Sequence, residues 1–422
     1  MSKDEHRKGS GERPFENSGI TMTLREAISN WAACRLAINL TVTLMALLAC
    51  AGAGASAIVP APPQINASSF LLMDAATGEI LAEENSALRL PPASLTKIMT
   101  SYVAAKELSK GSISLDDEVS VSVKAWRMEG SRMFIREGTT VRLEEILRGI
   151  IIQSGNDASV ALAEHISGSE ESFVETMNMH ARNLGLKNTN FENSTGLPHE
   201  NHYTTASDLG KLVKALIREF PSHYKYYAEK YYEYAGIRQN NRNRLLWRDA
   251  SVDGVKTGHT EAAGYCLVAS AVRNGMRLIS VVMGTESEVS RAIESQKLLS
   301  FGFRYFETIS LYQAGDVLRQ VKVWGGKHSS LRLGLENPLL LTMPKGSRDK
   351  LSAELTLVEE VHAPITKGDK FGTLTIAGLG EKKVSVPIAA LNSVDEASFF
   401  GRLIDAIQLF FRKMFGGDPL EY

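Results

Sequence analysis

Two apolar runs past the middle of the chain constrain its fold more than any other feature. Residues 264–272 and 276–283 are rich in small and β-branched side chains, and an Arg-Asn-Gly turn at 273–275 separates them. Such runs, joined across an Asn-Gly pair, predict a β-hairpin. A third apolar run at 68–73, far earlier in the chain, predicts another strand, and the turn 74–79 leads into a further one.

Between these strands the apolar residues recur at helical spacing. The predicted helices cover 95–108, 143–165, 171–184 and 207–220, with a last one at 289–301 after the hairpin. The second helix is interrupted at 153–156, and Asp157 can cap the part that follows. Strands at both ends therefore enclose a helical insertion. This order predicts a sheet packed beside an all-helical subdomain, with a cleft between the two.

The remainder of the chain has a different pattern. From 311 to 391, short alternating runs are broken by Gly, Pro, Lys and Asn, which predicts a small all-β domain. We therefore expect four parts: a leader at 1–57, a catalytic domain at 58–308, a β-rich domain at 309–393, and a helix with its tail at 394–422.

Composition excludes some classes of function. The chain carries 47 Lys and Arg against 48 Asp and Glu, so its formal net charge is -1. This balance argues against nucleic acid as a partner, because phosphate binding needs a basic surface. The sequence contains neither a Gly-rich phosphate loop nor a Cys/His cluster with metal-ligand spacing. We expect no cofactor and no metal.

Two other groups of reactive side chains favour structural interpretations. His199 and His202 are close neighbours in a polar loop, but two histidines there make a weak case for a metal site. Cys266 is the lone cysteine after the leader, so it cannot form an internal disulfide. Because it lies in an apolar strand, a buried, inert thiol is favoured over a nucleophile.

The first 57 residues have the layout of a secretory signal. Basic residues precede an apolar run at 36–49, and small residues end at Ala57, after which we expect cleavage. The run is too short and too polar for a spanning helix. The long leader leaves Met22 open as the true start, and Cys50 loosely resembles a lipoprotein acceptor site. We therefore expect an exported protein.

The last helix is amphipathic. Its apolar side chains recur at helical spacing at Phe399, Phe400, Leu403, Ile404, Ile407, Phe410, Phe411 and Met414, with charged and polar residues opposite. Such a helix fits an anchor lying in the headgroup plane of a membrane. A helix docked on the protein body or a coiled contact with a partner is the alternative. The anchor interpretation predicts peripheral attachment to the periplasmic face of the cytoplasmic membrane.

The motif at 94–97 (Ser-Leu-Thr-Lys) places a hydroxyl one helical turn before an ammonium. Ser94 opens a predicted helix, so it faces the positive end of the helix dipole, and Lys97 lies on the same face. A serine is a poor nucleophile until a neighbouring base removes its proton. A lysine can do this only when neutral, and burial with a second nearby cation lowers its pKa. Lys256 is the candidate for that cation.

The motif at 154–156 (Ser-Gly-Asn) lies in the break between helices. There the hydroxyl of Ser154 can pass a proton between Lys97 and a leaving amine. Asn156 offers an amide that can bind a substrate carbonyl and hold Lys97. Ser and Asn also favour local backbone hydrogen bonds, so a helix-capping turn is the alternative.

The motif at 256–258 (Lys-Thr-Gly) precedes the predicted hairpin. Lys256 and Thr257 supply a cation and a hydroxyl suited to a carboxylate, and Gly258 permits close backbone approach. The backbone amides of Ser94 and His259 are then placed to form an oxyanion hole.

The three motifs, in this order and with helices between the first two, resemble those of penicillin-binding proteins and serine β-lactamases. More narrowly, the chain resembles the low-molecular-mass penicillin-binding proteins of the D-alanyl-D-alanine carboxypeptidase type. The matching segments are 92–100, 154–158, 194–197 and 253–260.

The resemblance implies an α/β catalytic domain of the β-lactamase/transpeptidase-like type, with an antiparallel sheet and an all-helical subdomain. It also implies an acyl-enzyme on Ser94, water as acyl acceptor, and Arg291 near the terminal carboxylate of the substrate. The expected partners are peptidoglycan stem peptides ending in D-Ala-D-Ala and, as covalent inhibitors, β-lactam antibiotics.

One departure disfavours fast penicillin hydrolysis. Gly155 stands where the β-lactamase motif has Asp, and the sequence shows no clear deacylating glutamate. Glu192 and Glu200 are nearby, but their loop is better interpreted as a flap over the cleft. The predicted function is a serine-type D-Ala-D-Ala carboxypeptidase. The alternatives are a D,D-endopeptidase and a non-catalytic wall-binding scaffold, against which the intact motifs count.

Overall fold

The computed structural model of the chain describes residues 59–380 and 382–421. A sheet-and-helix part comes first, and a β-rich part and a terminal helix follow it. The predicted leader, 1–57, lies outside the described residues, together with the possible start at Met22 and the possible acceptor site at Cys50.

The first part alternates strands with helices. Its strands are β1 (Ser69–Asp74), β2 (Ile80–Glu84), β3 (Glu118–Ser120), β4 (Thr140–Arg142), β5 (Tyr231–Tyr234), β6 (Ile237–Asn240), β7 (Val252–Thr260), β8 (Gly264–Arg273) and β9 (Met276–Thr285). Its helices are α1 (Lys97–Lys110), α2 (Val123–Trp126), α3 (Leu143–Arg148), α4 (Asn156–Ser167), α5 (Glu170–Asn183), α6 (Ala206–Glu219), α7 (Pro221–Tyr224), α8 (Leu245–Arg248) and α9 (Glu288–Tyr305). Short 3-10 turns cover Ala93–Thr96 and Lys225–Ala228, and a π-helical turn covers Gly149–Gln153.

Five strands form the central antiparallel sheet, in the order β2-β1-β9-β8-β7. The predicted hairpin is β8 and β9, which pair as far as Arg273 opposite Met276. Cys266 and Val268 of β8 join the core under the helical subdomain, whereas Leu267 between them joins the core on the opposite face. Both faces of the sheet are therefore covered, which explains why these strands read as continuous apolar runs.

The helical subdomain and helix α9 cover opposite faces of this sheet. Helix α6 packs on β9 and β1, while α9 packs on β9 and β8 from the other side. Helix α1 lies deep in the subdomain, where Ile98 and Met99 are fully buried. The predicted fold, a sheet beside an all-helical subdomain, is confirmed.

One local prediction was wrong, and one strand was missed. Asp157 does not cap α4, whose N-cap is Gly155. Its buried carboxylate accepts a hydrogen bond from the Ala158 N–H group in the first turn of α4 at 2.9 Å, and two more from the backbone N–H groups of Met133 and Phe134, both at 2.8 Å. The motif at 256–258 precedes the predicted hairpin, but it also lies inside a strand of its own, β7, which the sequence did not indicate.

The β-rich part contains β10 (Phe306–Tyr312), β11 (Val317–Lys322), β12 (Ser330–Gly334), β13 (Leu339–Pro344), β14 (Ser352–Leu357), β15 (Lys370–Leu379) and β16 (Lys382–Ala390), with a 3-10 turn at Arg348–Lys350. Five strands form a sheet in the order β11-β12-β16-β15-β14, and β10 pairs with β13. Buried aliphatic residues such as Val321, Leu333 and Ile376 fill its core.

Helix α10 (Phe399–Met414) follows, as predicted. It is docked on the β-rich part through its polar side. The Asp405 carboxylate accepts a hydrogen bond of 2.8 Å from the Gly325 N–H group, Lys413 pairs with Glu360, and Leu409 is buried. The apolar side of α10 consequently points away from the protein. None of the helices among the described residues is long and apolar enough to cross a membrane.

Candidate active site

Ser94 lies in the 3-10 turn just before α1, at the mouth of the cleft between the sheet and the helical subdomain. Two glycines allow neighbouring segments to approach its backbone. A Cβ atom on Gly258 would lie 3.0 Å from the Pro92 carbonyl oxygen, and one on Gly196 would lie 1.8 Å from that of Ala93. Gly196 also has a φ of +87°, which glycine adopts without strain. Strand β7 and the segment 194–197 can therefore close on Ser94 from two sides.

Lys97 lies beneath Ser94 and is 1 % exposed. Its Nζ donates to the Asn156 side-chain oxygen at 2.7 Å, to the Thr195 carbonyl oxygen at 2.5 Å and to Ser94 Oγ at 3.3 Å. An ammonium has three donors and no acceptor, so these contacts use its full capacity. The side chain is thereby fixed within reach of the serine hydroxyl.

Burial lowers the pKa of Lys97 to about 7, and the positive charge of Arg242 adds to this effect. Arg242 is a cation beside Lys97 that the sequence did not indicate, and it acts in addition to Lys256, which also interacts with Lys97. Lys256 is itself buried, and both its burial and its repulsion from Lys97 hold its own pKa well below the ordinary lysine value. A substantial fraction of Lys97 is consequently neutral near pH 7, as a general base must be.

Ser154 and Asn156 reach the cleft from the break between α3 and α4. Ser154 follows the π-helical turn with a φ of +70°, and its buried Oγ has no hydrogen-bond partner among the described residues. The Asn156 amide is used on both sides, since its oxygen holds Lys97 and its nitrogen donates to the Glu129 carbonyl oxygen at 2.6 Å. Of these two side chains, the Ser154 hydroxyl is therefore the one that can still form a hydrogen bond.

Strand β7 forms the opposite wall, and it is an edge strand of the central sheet. An edge strand presents unpaired backbone groups that an extended peptide can use. The His259 ring stacks on Tyr265 with 3.9 Å between ring centroids, and the Lys256 Nζ donates to the Thr257 carbonyl oxygen at 3.2 Å. Arg291 reaches this wall from α9 and donates to the Gly258 carbonyl oxygen at 3.3 Å.

The cleft has a volume of about 550 Å³. Most of the residues singled out in the sequence line it: Ser94, Ser154, Asn156, Thr257, Gly258, His259 and Arg291. The two lysines, Lys97 and Lys256, lie buried behind these residues. A nucleophile beside a neutral amine, with cations at the opposite wall, suits attack on a carbonyl group close to a carboxylate.

Comparison with protein families gives two matches. Residues 56–287 match the D-alanyl-D-alanine carboxypeptidase family of serine peptidases. Residues 306–396 match the C-terminal domain of penicillin-binding protein 5. The first match covers more than half of the chain. The chain belongs to the D-alanyl-D-alanine carboxypeptidase family.

Individual relatives agree with this assignment. The chain is 42 % identical to the D-alanyl-D-alanine carboxypeptidase DacA of Escherichia coli over 85 % of its own length and 91 % of the relative. Among solved structures, it is similar to penicillin binding protein 5 from Haemophilus influenzae, with 44 % identity, a TM-score of 0.76, and coverage of 80 % of this chain and 100 % of that one. Penicillin-Binding Protein D2 from Listeria monocytogenes, solved in the ampicillin-bound form, has 27 % identity and a TM-score of 0.54, over 58 % of this chain and 100 % of that one.

Membership in this family confirms the predicted activity class, a serine-type D-Ala-D-Ala carboxypeptidase, and the predicted fold class. The structure also locates the two glutamates weighed as deacylating groups. The Glu192 carboxylate accepts a hydrogen bond from Asn190, and Glu200 lines a neighbouring cavity on the far side of Leu197. Neither lines the cleft that contains Ser94.

The structure also locates the loop histidine His202 and the thiol of Cys266, for which the sequence favoured structural roles. His202 is buried, its Nε2 lies 2.9 Å from Thr96 Oγ1, and burial lowers its pKa to about 4. Cys266 is buried in β8, where burial raises the pKa of its thiol to about 11. A thiol with that pKa is a poor nucleophile at neutral pH.

Sequence reasoning missed three groups at the site. Arg242 lines the cleft from the loop after β6, and Thr195 supplies a carbonyl acceptor to Lys97. Glu170, at the start of α5, acts on Lys97 through its charge. Thr195 lies in the matched segment 194–197 and was the easiest of the three to find. An arginine among asparagines and a glutamate at a helix start carry no signal of their own.

Proposed function

We propose that the chain removes the terminal D-alanine from peptidoglycan stem peptides through an acyl-enzyme on Ser94. Neutral Lys97 takes the proton of the Ser94 hydroxyl as Oγ attacks the carbonyl carbon between the two D-alanines. The backbone N–H groups of Ser94 and His259 stabilise the oxyanion of the tetrahedral intermediate.

Collapse of the intermediate breaks the peptide bond and forms the ester on Ser94. The proton on Lys97 passes through Ser154 Oγ to the leaving amine, so free D-alanine departs. Water then attacks the ester and releases the shortened peptide. The buried Ser154 Oγ, which has no hydrogen-bond partner among the described residues, supports its role as the relay.

Cationic and hydroxyl groups at the far wall bind the terminal carboxylate of the substrate. Thr257, Arg291 and Arg242 all line the cleft, and Lys256 lies directly behind Thr257. The backbone of edge strand β7 pairs with the peptide, and Gly258 permits its close approach. The same groups bind β-lactams, whose carboxylate and strained amide mimic the terminus of the substrate, so that these antibiotics acylate Ser94.

The contact between Lys97 and Ser94 is the observation that carries this proposal. A buried lysine with a pKa of about 7 lies 3.3 Å from a serine hydroxyl in an open cleft. A wall-binding scaffold would gain nothing from burying this charge, which opposes folding.

D-alanine release from diacetyl-Lys-D-Ala-D-Ala tests the proposal, with the chain from Ile58 compared with its Ser94→Ala variant. We expect release by the wild type and a loss of at least about 10⁴-fold in the variant. A folded wild type without release would overturn the proposed reaction. Equal release by both proteins would overturn the assignment of Ser94.

We further infer that the protein is exported and held peripherally on the periplasmic face of the cytoplasmic membrane by α10. The exposed apolar residues of this helix support an anchor, since Phe399 and Phe400 are 68 % and 74 % exposed. Docking through the polar side argues against the alternative in which the apolar side covers the protein body.

The four predicted parts form the working division of the chain: leader 1–57, catalytic domain 58–308, β-rich domain 309–393 and anchoring helix with tail 394–422. The separate cores support it, because buried residues around the central sheet and those of the β-rich part fall on either side of this boundary.

A further inference from the structure

We propose that Glu170 is a positioning residue for the general base, because it fixes the segment that holds Lys97 and supplies a negative charge to a cluster of cations. This inference rests on the proposed function, in which Lys97 activates Ser94. Glu170 does not line the cleft and contacts no reacting atom.

The carboxylate of Glu170 clamps the segment 194–195. Its Oε1 accepts hydrogen bonds from both the backbone N–H and the hydroxyl of Ser194, at 3.0 and 2.7 Å. Its Oε2 pairs with Lys124 at 3.1 Å. Two hydrogen bonds from one residue to one carboxylate oxygen fix the backbone of Ser194 firmly.

The clamped segment is bonded to α1 at two successive carbonyls. The Ser194 carbonyl oxygen accepts from Thr100 Oγ1 at 2.7 Å, and the Thr195 carbonyl oxygen accepts from Lys97 Nζ at 2.5 Å. Thr100 and Lys97 lie one turn apart on α1. A shift of Ser194 would therefore move an acceptor of the base itself.

The charge of Glu170 matters because cations dominate the surroundings of Lys97. Arg242 faces it from the loop after β6, and Lys256 faces it from β7. His202, near the start of α1, also senses the charge of Lys97. Asp157 from α4 and Glu170 from α5 are the acidic groups that favour the charged form of Lys97. Loss of one of them leaves Lys97 neutral at a lower pH.

Glu170→Gln separates charge from shape. Glutamine keeps an oxygen that can accept from Ser194, but it carries no negative charge. We expect the acid limb of the benzylpenicillin acylation rate, plotted against pH, to move to lower pH by a few tenths of a pH unit to about one unit. The direction follows because acylation requires neutral Lys97.

The adjacent Glu171 provides a matched control. It also pairs with Lys124, at 2.9 Å, but its side chain is 77 % exposed, against 11 % for Glu170. Glu171→Gln removes the same charge one residue away without contacting Ser194. We expect its acid limb to coincide with that of the wild type.

Ser194→Ala tests the clamp by itself. It removes the hydroxyl contact to Glu170 and leaves every charge in place, so we expect slower acylation, by about 3- to 30-fold, with an unmoved acid limb. Thermal unfolding of each variant identifies any that fails to fold. If Glu170→Gln fails to fold, Glu170→Asp replaces it and is expected to retain the acid limb of the wild type.

The outcomes separate this inference from the proposed function. An active wild type, with Glu170→Gln shifted and Glu171→Gln unshifted, supports the role of Glu170. An active wild type whose acid limb is the same in both variants overturns it. A folded wild type that is neither acylated nor able to release D-alanine overturns the proposed function, and this inference with it.

Discussion

The cleft and the terminal helix depart from ordinary protein burial in opposite directions. Around Ser94 the chain buries charge, since Lys97 and Lys256 are 1 % and 3 % exposed. On α10 it exposes apolar surface, with Phe400 at 74 % and Phe410 at 64 %. Buried charge and clustered exposed apolar side chains are both unfavourable in an isolated soluble domain.

The buried charge and the exposed apolar side chains each indicate the kind of partner that would stabilise them. In the cleft, burial and, after it, repulsion among cations lower the pKa values of the lysines, and the anionic terminus of the substrate would relieve the repulsion. On α10, the apolar side has no partner within the described residues, and a lipid surface would cover it. The two regions therefore suit opposite chemistry, the cleft an anionic peptide terminus and α10 an apolar surface.

Of the three predictions, Lys97→Arg tests the role of the cleft and should have the largest effect. The guanidinium stays charged at neutral pH, so it cannot accept the Ser94 proton. We expect the benzylpenicillin acylation rate to fall by about 10²- to 10⁴-fold. Lys106→Arg, on an exposed part of the same helix, is the control and should acylate at the wild-type rate. Rapid acylation by Lys97→Arg would show that another group is the base.

Substitution of two phenylalanines tests the role of the apolar side of α10 and should have an intermediate effect. Phe400→Ser combined with Phe411→Ser removes about 3 kcal/mol of apolar transfer energy, so binding to anionic phospholipid vesicles should weaken by about 100-fold in a flotation assay. Val317→Ser with Val358→Ser, at exposed positions of the β-rich part, is the control. Equal binding by the two double variants would contradict an anchor in α10.

Arg242→Gln tests the contribution of one cation in the cleft and should have the smallest effect. Without this cation the pKa of Lys97 rises, so the acid limb of the acylation rate moves to higher pH and the rate at pH 7 falls several-fold. Arg244→Gln, two residues on and paired with Glu288 at the surface, should leave the limb in place. An acid limb that moves in Arg244→Gln but not in Arg242→Gln would refute the conclusion that Arg242 is a cation acting on Lys97.

Much of the fold could be predicted because the signals were local. The hairpin of β8 and β9 follows from its Asn-Gly turn, and α10 from its apolar period. Strand β10 was missed because its residues are only partly buried and its pairing with β13 lies far along the chain. Strand β7 is mostly buried, and it was missed because its polar motif interrupts the apolar pattern that marks a strand.

The site shows the same limit. The three motifs identify Ser94, Lys97 and Ser154 because catalysis fixes their types and spacing. The effect of Arg242 on Lys97 was missed, since electrostatic repulsion depends on distances that spacing does not give. The bonds of the Asp157 carboxylate to residues 133–135 could not be predicted, because these partners are distant in sequence.

The pH dependence of wild-type acylation by benzylpenicillin tests the central claim, that the cleft buries Lys97 so that it can be neutral near pH 7. The second-order rate of acylation reports the free enzyme, so it should rise with pH through a midpoint near the Lys97 pKa of about 7. A rate that is constant from about pH 5 to about pH 9, or that rises only toward the ordinary lysine pKa of about 10.4, would contradict it.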